Sequence, residues 1–106
     1  MFDVLEVSIQ VLAVLAPVEV RIRRKSLSLA KQLARASESI SLNLGEGMSR
    51  CDGDKRRHYE IARGSASEVT VALRIALAKH YITLDEHAEV DMLLDRVRAM
   101  LYKLTH

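Results

Sequence analysis

Tyr59, Ala62, Ala66, Val69, Leu73, Ala76 and His80 follow one another at steps of 3, 4, 3, 4, 3 and 4. Steps averaging 3.5 residues keep one face of an α-helix turned toward a neighbour, whereas a strand repeats with period two. Three of the seven positions are alanine, so that neighbour can approach closely. This row commits the chain to helices packed side by side. One proline and four glycines among 106 residues leave little to interrupt long helices. Hydrophobic residues at 49% with aromatics at 4% call for an aliphatic, alanine-rich core. A chain of this length fits a single domain, residues 1–106, with one modest core.

The other helices follow from the same periodicity. Val4, Val7, Val11 and Val14 form one row, with Leu5, Ile9, Leu12 and Leu15 beside it. They predict a first helix from about Phe2 to Ala16, apolar around much of its circumference and suited to a subunit interface. Pro17 ends this helix or opens the next element. A second helix begins between Val18 and Ser28, with Ser26 or Ser28 as its cap, and runs to about Glu46. Gly47 stands where a left-handed C-terminal cap is expected. Met48 to Asp54 reads as the main loop, with Asp52 or Asp54 capping the third helix. Thr83-Leu-Asp-Glu86 reads as a capping box for a fourth helix, whose apolar row is Val90, Leu93, Val97, Met100 and Leu104 with Leu94 and Leu101 beside it. Four helices with short connections predict an all-α, antiparallel up-down-up-down bundle.

Within the second helix, Gln32, Arg35, Ser39, Asn43 and Glu46 form a polar row beside the apolar row Leu29, Leu33, Ala36, Ile40 and Leu44. Ser65 and Glu68 lie one turn apart on the third helix, and chain reversal brings them to face Asn43 and Glu46, with Gly64 allowing a close backbone approach. Two readings stand. Glu46 and Glu68 form a carboxylate pair for acid–base work or a metal. Alternatively, Gln32, Ser39, Asn43, Glu46, Ser65 and Glu68 form a structural polar network that fixes helix register. The second is preferred, because no nucleophile, histidine ligand or phosphate loop accompanies them. No glutamate has a histidine three residues on, and His58, His80, His87, His106 and Cys51 lack ligand spacing, so no metal and no cofactor is expected. His80 falls on the apolar row and reads as structural.

Charge is segregated. Residues 21–35 carry Arg21, Arg23, Arg24, Lys25, Lys31 and Arg35 and no acid, whereas residues 83–95 carry Asp85, Glu86, Glu89, Asp91 and Asp95 and no Lys or Arg. Arg50, Lys55, Arg56, Arg57 and His58 surround the start of the third helix, where cations oppose the helix dipole and attract anions. Together with Arg21, Arg23, Arg24 and Lys25 they form a candidate phosphate-contacting surface. The alternative is that these cations pair with the acidic block or face solvent. No aromatic platform for base stacking stands out, so binding is expected to tolerate any base sequence. Arg74 and His80 have the spacing of an arginine–histidine ribonuclease pair, but six residues on one helix place them about 120° apart. One cysteine forbids an internal disulfide and suggests a reducing compartment. The absence of signal-peptide character and of a long apolar run predicts a cytoplasmic protein with no membrane contact.

The motifs Ser39-Ile-x-x-Asn43-x-x-Glu46-Gly47 and Gly64-Ser-Ala-x-Glu68, with Gln32-Leu-Ala-Arg-Ala-Ser before them and His58-Tyr59 between, resemble the family of proteins encoded by intervening sequences in bacterial 23S ribosomal RNA genes. The resemblance runs over about Leu27 to Leu104. Gly45 replaces the alanine usual in that family, and Ser41 stands where proline is common. It implies a four-helix bundle assembled as a ring-like homopentamer, similar in fold to the accessory variability proteins of diversity-generating retroelements. Those proteins present a basic surface and partner a reverse transcriptase and nucleic acid. The resemblance therefore implies self-association, RNA or DNA as a partner, a reverse transcriptase as a further candidate, and no enzymatic activity. The label "S23 ribosomal protein" attached to such proteins is no evidence of residence in the ribosome.

Overall fold

The computed structural model describes residues 2–106 and contains four α-helices: α1 (Phe2–Lys25), α2 (Leu27–Met48), α3 (Asp52–Ala78) and α4 (Leu84–Thr105). Each packs on its neighbours in the cycle α1, α2, α3, α4, so α1 and α3 lie across a diagonal. Ser8 meets Ser41, Asn43 meets His58, and Arg56 reaches Thr105. The bundle measures 42 × 22 × 20 Å.

The helix α1 does not stop at Pro17 but passes through it. A proline inside a helix costs about 3 kcal/mol through its lost hydrogen bond and ring clash. Here Pro17 is exposed, and the buried row Val4, Val7, Val11, Leu15, Val18, Ile22 continues across it. Burying Leu15, Val18 and Ile22 returns about 1.5–3 kcal/mol each, which outweighs that local penalty. The turn to α2 is one residue. The Ser26 amide donates to the Ile22 carbonyl (2.8 Å), while its hydroxyl accepts from the Leu29 amide (3.2 Å), so one serine closes α1 and caps α2.

Gly47 is not a left-handed cap. It is helical and buried, and a Cβ there would lie 2.5 Å from Cε1 of Tyr59. The glycine provides a seat for a ring, and Ser49 (φ −94°) closes the helix through its amide to the Glu46 carbonyl. Neither Asp52 nor Asp54 caps α3. Cys51 occupies the cap without a side-chain bond, and Asp52 adopts φ 52° at the first helical position. Both aspartates then lie in the first turn, where they favour the helix dipole.

The α3 row Tyr59, Ala62, Ala66, Val69, Leu73 and Ala76 is buried as its spacing predicts. His80 is not part of it. The helix ends first, at Ala78, and His80 sits exposed with φ 61°, in the left-handed position that lets the Tyr81 amide reach back to the Ala76 carbonyl (2.9 Å). The capping box of α4 is present: the Thr83 hydroxyl accepts from the Glu86 amide (3.1 Å), and the Thr83 amide donates to the Glu86 carboxylate (2.8 Å). On α4 the fully buried residues are Val90, Leu94, Val97 and Leu101, while Leu93, Met100 and Leu104 pack at the edge of the core. No helix among the described residues is long and apolar enough to cross a membrane.

Candidate nucleic-acid interface and the polar seam

The polar row of α2 faces α3, and two of its five members, Ser39 and Asn43, belong to one hydrogen-bonded unit. Asn43 Nδ2 donates to the Ser39 carbonyl (3.0 Å) and hydroxyl (3.1 Å), and the buried Ser65 hydroxyl donates to the Ser39 hydroxyl (2.8 Å). Asn43 Oδ1 has only lone pairs to offer, so the proton between it and His58 Nδ1 (3.0 Å) belongs to the histidine. His58 Nε2 then accepts from Arg57 Nη2 at 3.4 Å. His58 lies outside the polar network expected from the sequence, yet it stands seven residues before Ser65, on the same face of α3.

The remaining members of the row act elsewhere. Glu46 binds Arg50 (2.6 Å), whose hydrogen bond and charge hold its carboxyl below the usual carboxylate range. Glu68 pairs with Arg35 at 3.3 Å, both side chains more than half exposed. Gln32 lines an open groove with Ser67, Val71 and Ile75. The two glutamates therefore take separate arginines and form no carboxylate pair. Gly64 is exposed, and a Cβ there would meet nothing within 4 Å, so within the chain it admits no close helix approach. Among the described residues, no three metal-ligating side chains gather.

The two basic blocks lie at opposite ends. Arg21 pairs with Glu86 in the first turn of α4, whereas Arg56 Nη2 donates to the carbonyl of Thr105 in its last turn (2.6 Å). The 22 residues of α4 rise about 33 Å. One chain therefore presents two basic ends and no single surface built from both blocks. At the first end, Arg23, Arg24 and Lys25 are exposed and make no ion pair among the described residues. They flank the start of α2, whose first turn carries no acid. At the other end, Arg50 binds Glu46 and Asp54, Arg57 binds Asp54, and Arg56 adds Glu60, at 2.6–3.7 Å. Lys55 is half-buried.

Two side-chain groups on α3 and α4 were not legible as sites. The rings of Tyr102 and His106 stack with centroids 3.9 Å apart, and the Arg63 guanidinium lies 5.4 Å from the Tyr102 centroid. Arg74 lines a cleft with Thr70, His87, Asp91 and Arg98. His80 is not among the residues of that cleft, so Arg74 shares its surroundings with His87 instead.

These features define a class: an all-α bundle of four helices with a polar seam between the second and third and basic blocks at opposite ends. The chain belongs to the family of 23S rRNA-intervening sequence proteins, whose model matches residues 5–103. It is similar to a protein of unknown function from the S23 ribosomal protein family of Bacteroides thetaiotaomicron VPI-5482, with 19% identity over 96% of this chain and 97% of that one and a TM-score of 0.86. At that identity the likeness shows the fold. No curated protein matches the chain.

Proposed function

We propose that this protein is a non-enzymatic, oligomeric, antiparallel four-helix bundle that binds RNA or DNA through phosphate contacts as an adaptor. The observation that carries the reading is the corner formed by Arg23, Arg24 and Lys25, three exposed cations without a carboxylate partner beside an acid-free helix start. Such a corner releases counterions when it meets a polyphosphate and reads no base.

Self-association is supported by apolar residues left outside the bundle on diagonal helices. Ile9 and Val20 stand exposed on α1, with Ala13 and Ala16 between them at steps of 4, 3 and 4; Ile61, Val71 and Ile75 stand exposed on α3. Two different apolar faces on opposite sides suit a head-to-tail contact, which closes into a ring when the rotation allows. Each closure repeats the basic corner around the ring. A pentamer, cytoplasmic residence and a reverse transcriptase as client follow the family resemblance and complete the proposal.

Titration of RNA and DNA with the mass-calibrated oligomer across a salt series tests it. Native protein should lose affinity steeply with salt, and the variant Arg23→Gln, Arg24→Gln, Lys25→Gln should bind at least roughly tenfold more weakly at low salt, with a slope reduced by about 2–3. Unchanged affinity in this variant would sink the phosphate reading. A second reading, a protein-partner oligomer, draws on Leu84 and Met92, about 70% exposed amid Asp85 and Glu89. It predicts that salt dissolves the assembly while nucleic acid has no effect.

A further inference from the structure

We infer that the groove between α3 and α4 takes an unpaired nucleic-acid strand, with one base on the Tyr102–His106 stack and phosphates on the arginines that follow along α3. The inference rests on the nucleic-acid reading above and adds the form of the strand and the face that holds it.

Tyr102 and His106 are one turn apart on α4, their planes within 12° of each other. Tyr102 is 48% exposed. Two rings already stacked in water offer a flat surface that a third ring can extend at little ordering cost. Every nucleobase has a π-face, and base–aromatic stacking contributes about 1–3 kcal/mol per base whatever the sequence. Arg63 leans over the same tyrosine and has no ion pair among the described residues, so it brings a free charge to the place where the base would sit.

A separate cleft between α3 and α4 lies farther along. Arg56, Arg63 and Thr70 succeed one another at two-turn steps of about 10.5 Å. Thr70 accepts from Arg98 Nη1 (2.7 Å), and Asp91 and Asp95 hold the same guanidinium at 3.3 Å. One turn past Thr70, Arg74 makes no ion pair among the described residues and shares its cleft of about 500 Å³ with His87. Arg56 and Arg98 already have carboxylates, so Arg63 and Arg74 are the two phosphate contacts. They lie 11 residues, or about 16 Å, apart on one helix. Away from its ends a duplex keeps its base faces inside its own stack, so an unpaired strand is the form that can use the ring surface and the arginines together along its length.

The test compares oligouridylate RNA with a blunt RNA duplex of equal length, titrated into the native oligomer over a salt series. Native protein should prefer the single strand. Tyr102→Leu should lose roughly tenfold for the single strand, with duplex affinity, salt slope and thermal midpoint unchanged, and Tyr102→Phe should bind as native does. Arg63→Gln should lower the single-strand slope by about 0.7. The inference is overturned if Tyr102→Leu binds the single strand as tightly as native protein, or if the duplex binds better. In those cases the corner of Arg23, Arg24 and Lys25 can still carry phosphate binding. If native protein binds neither probe at low salt, both readings fall.

Discussion

Where α1 meets α2, Arg23, Arg24 and Lys25 stand exposed without a carboxylate against them; where α2 meets α3, Arg50, Arg56 and Arg57 are each held by an acidic side chain. The counts of charge are similar, and the availability of that charge is not. Glu46, Asp54 and Glu60 sit three or four residues from the arginines they neutralise, at spacings that meet on a helix or across its first turn. At the other end the acid with the right spacing is Glu19, four residues before Arg23, but it is half-buried in the groove between α1 and α2. Burial first, and Glu38 second, push its carboxyl above the usual range. A basic stretch therefore gains or loses its reach according to where nearby carboxylates point.

The contrast breaks most visibly in binding. Arg50→Gln with Arg57→Gln should leave nucleic-acid affinity and salt slope near native, beside the roughly tenfold loss expected at the other corner. An equal loss would show that paired arginines exchange their carboxylates for phosphates and that the two ends are equivalent.

The paired end is also the tightly packed one, and stability measurements sharpen that half. Gly47→Ala drives a methyl into the Tyr59 ring and should destabilise the fold by about 1–3 kcal/mol in denaturant unfolding. Asn43→Ala strands His58 Nδ1 and removes one of the two donors to the Ser39 hydroxyl, and should cost about 1–3 kcal/mol. Glu68→Ala, sequence neighbour to the same seam but exposed, should cost only about 0–1 kcal/mol. An equal cost for the two would mean that the seam is not confined to Ser39, Asn43, His58 and Ser65.

The smallest effect tests the open end. A carboxyl raised in the folded state favours folding at pH below the ordinary range, and that contribution is lost as pH rises through the raised value. Glu19→Gln should therefore raise the thermal midpoint at neutral pH, with the difference from native vanishing in acid. No gain at neutral pH would place Glu19 in water.

Much of this architecture was legible in the order of residues. The α3 row, the buried valines of α1, the Ser26 cap and the capping box of Thr83 and Glu86 rest on interactions within a few residues, which spacing encodes directly. The length of α1 was not, because the rule that stops a helix at Pro17 is local and the core row that overrides it packs against other helices. The roles of Gly47 and Gly64 were also misplaced, since only the tertiary fold puts the Tyr59 ring over one and solvent over the other. For the site, Ser39, Asn43 and Ser65 were found from shared faces. The Tyr102–His106 stack was not read from the sequence, because a one-turn spacing has no meaning until Arg63, 39 residues earlier, arrives beside it. The opposite placement of the two basic blocks depends on chain reversal, which a list of charges does not contain.

The connections between helices hold one residue at 26, three at 49–51 and five at 79–83. These lengths set how the chain tolerates growth. An extra residue beside Ser26 has no loop to occupy; it must enter a helix, turning everything beyond it by about 100° and advancing it by about 1.5 Å. Leu29, Leu33 and Ala36 would rotate out of the core together, and the basic corner would lose its aim. The five-residue connection can lengthen without changing any helical phase. Genetic insertions, tags or a fused domain therefore have their natural entrance between α3 and α4, while the turn at Ser26 fixes the angular register of the whole molecule.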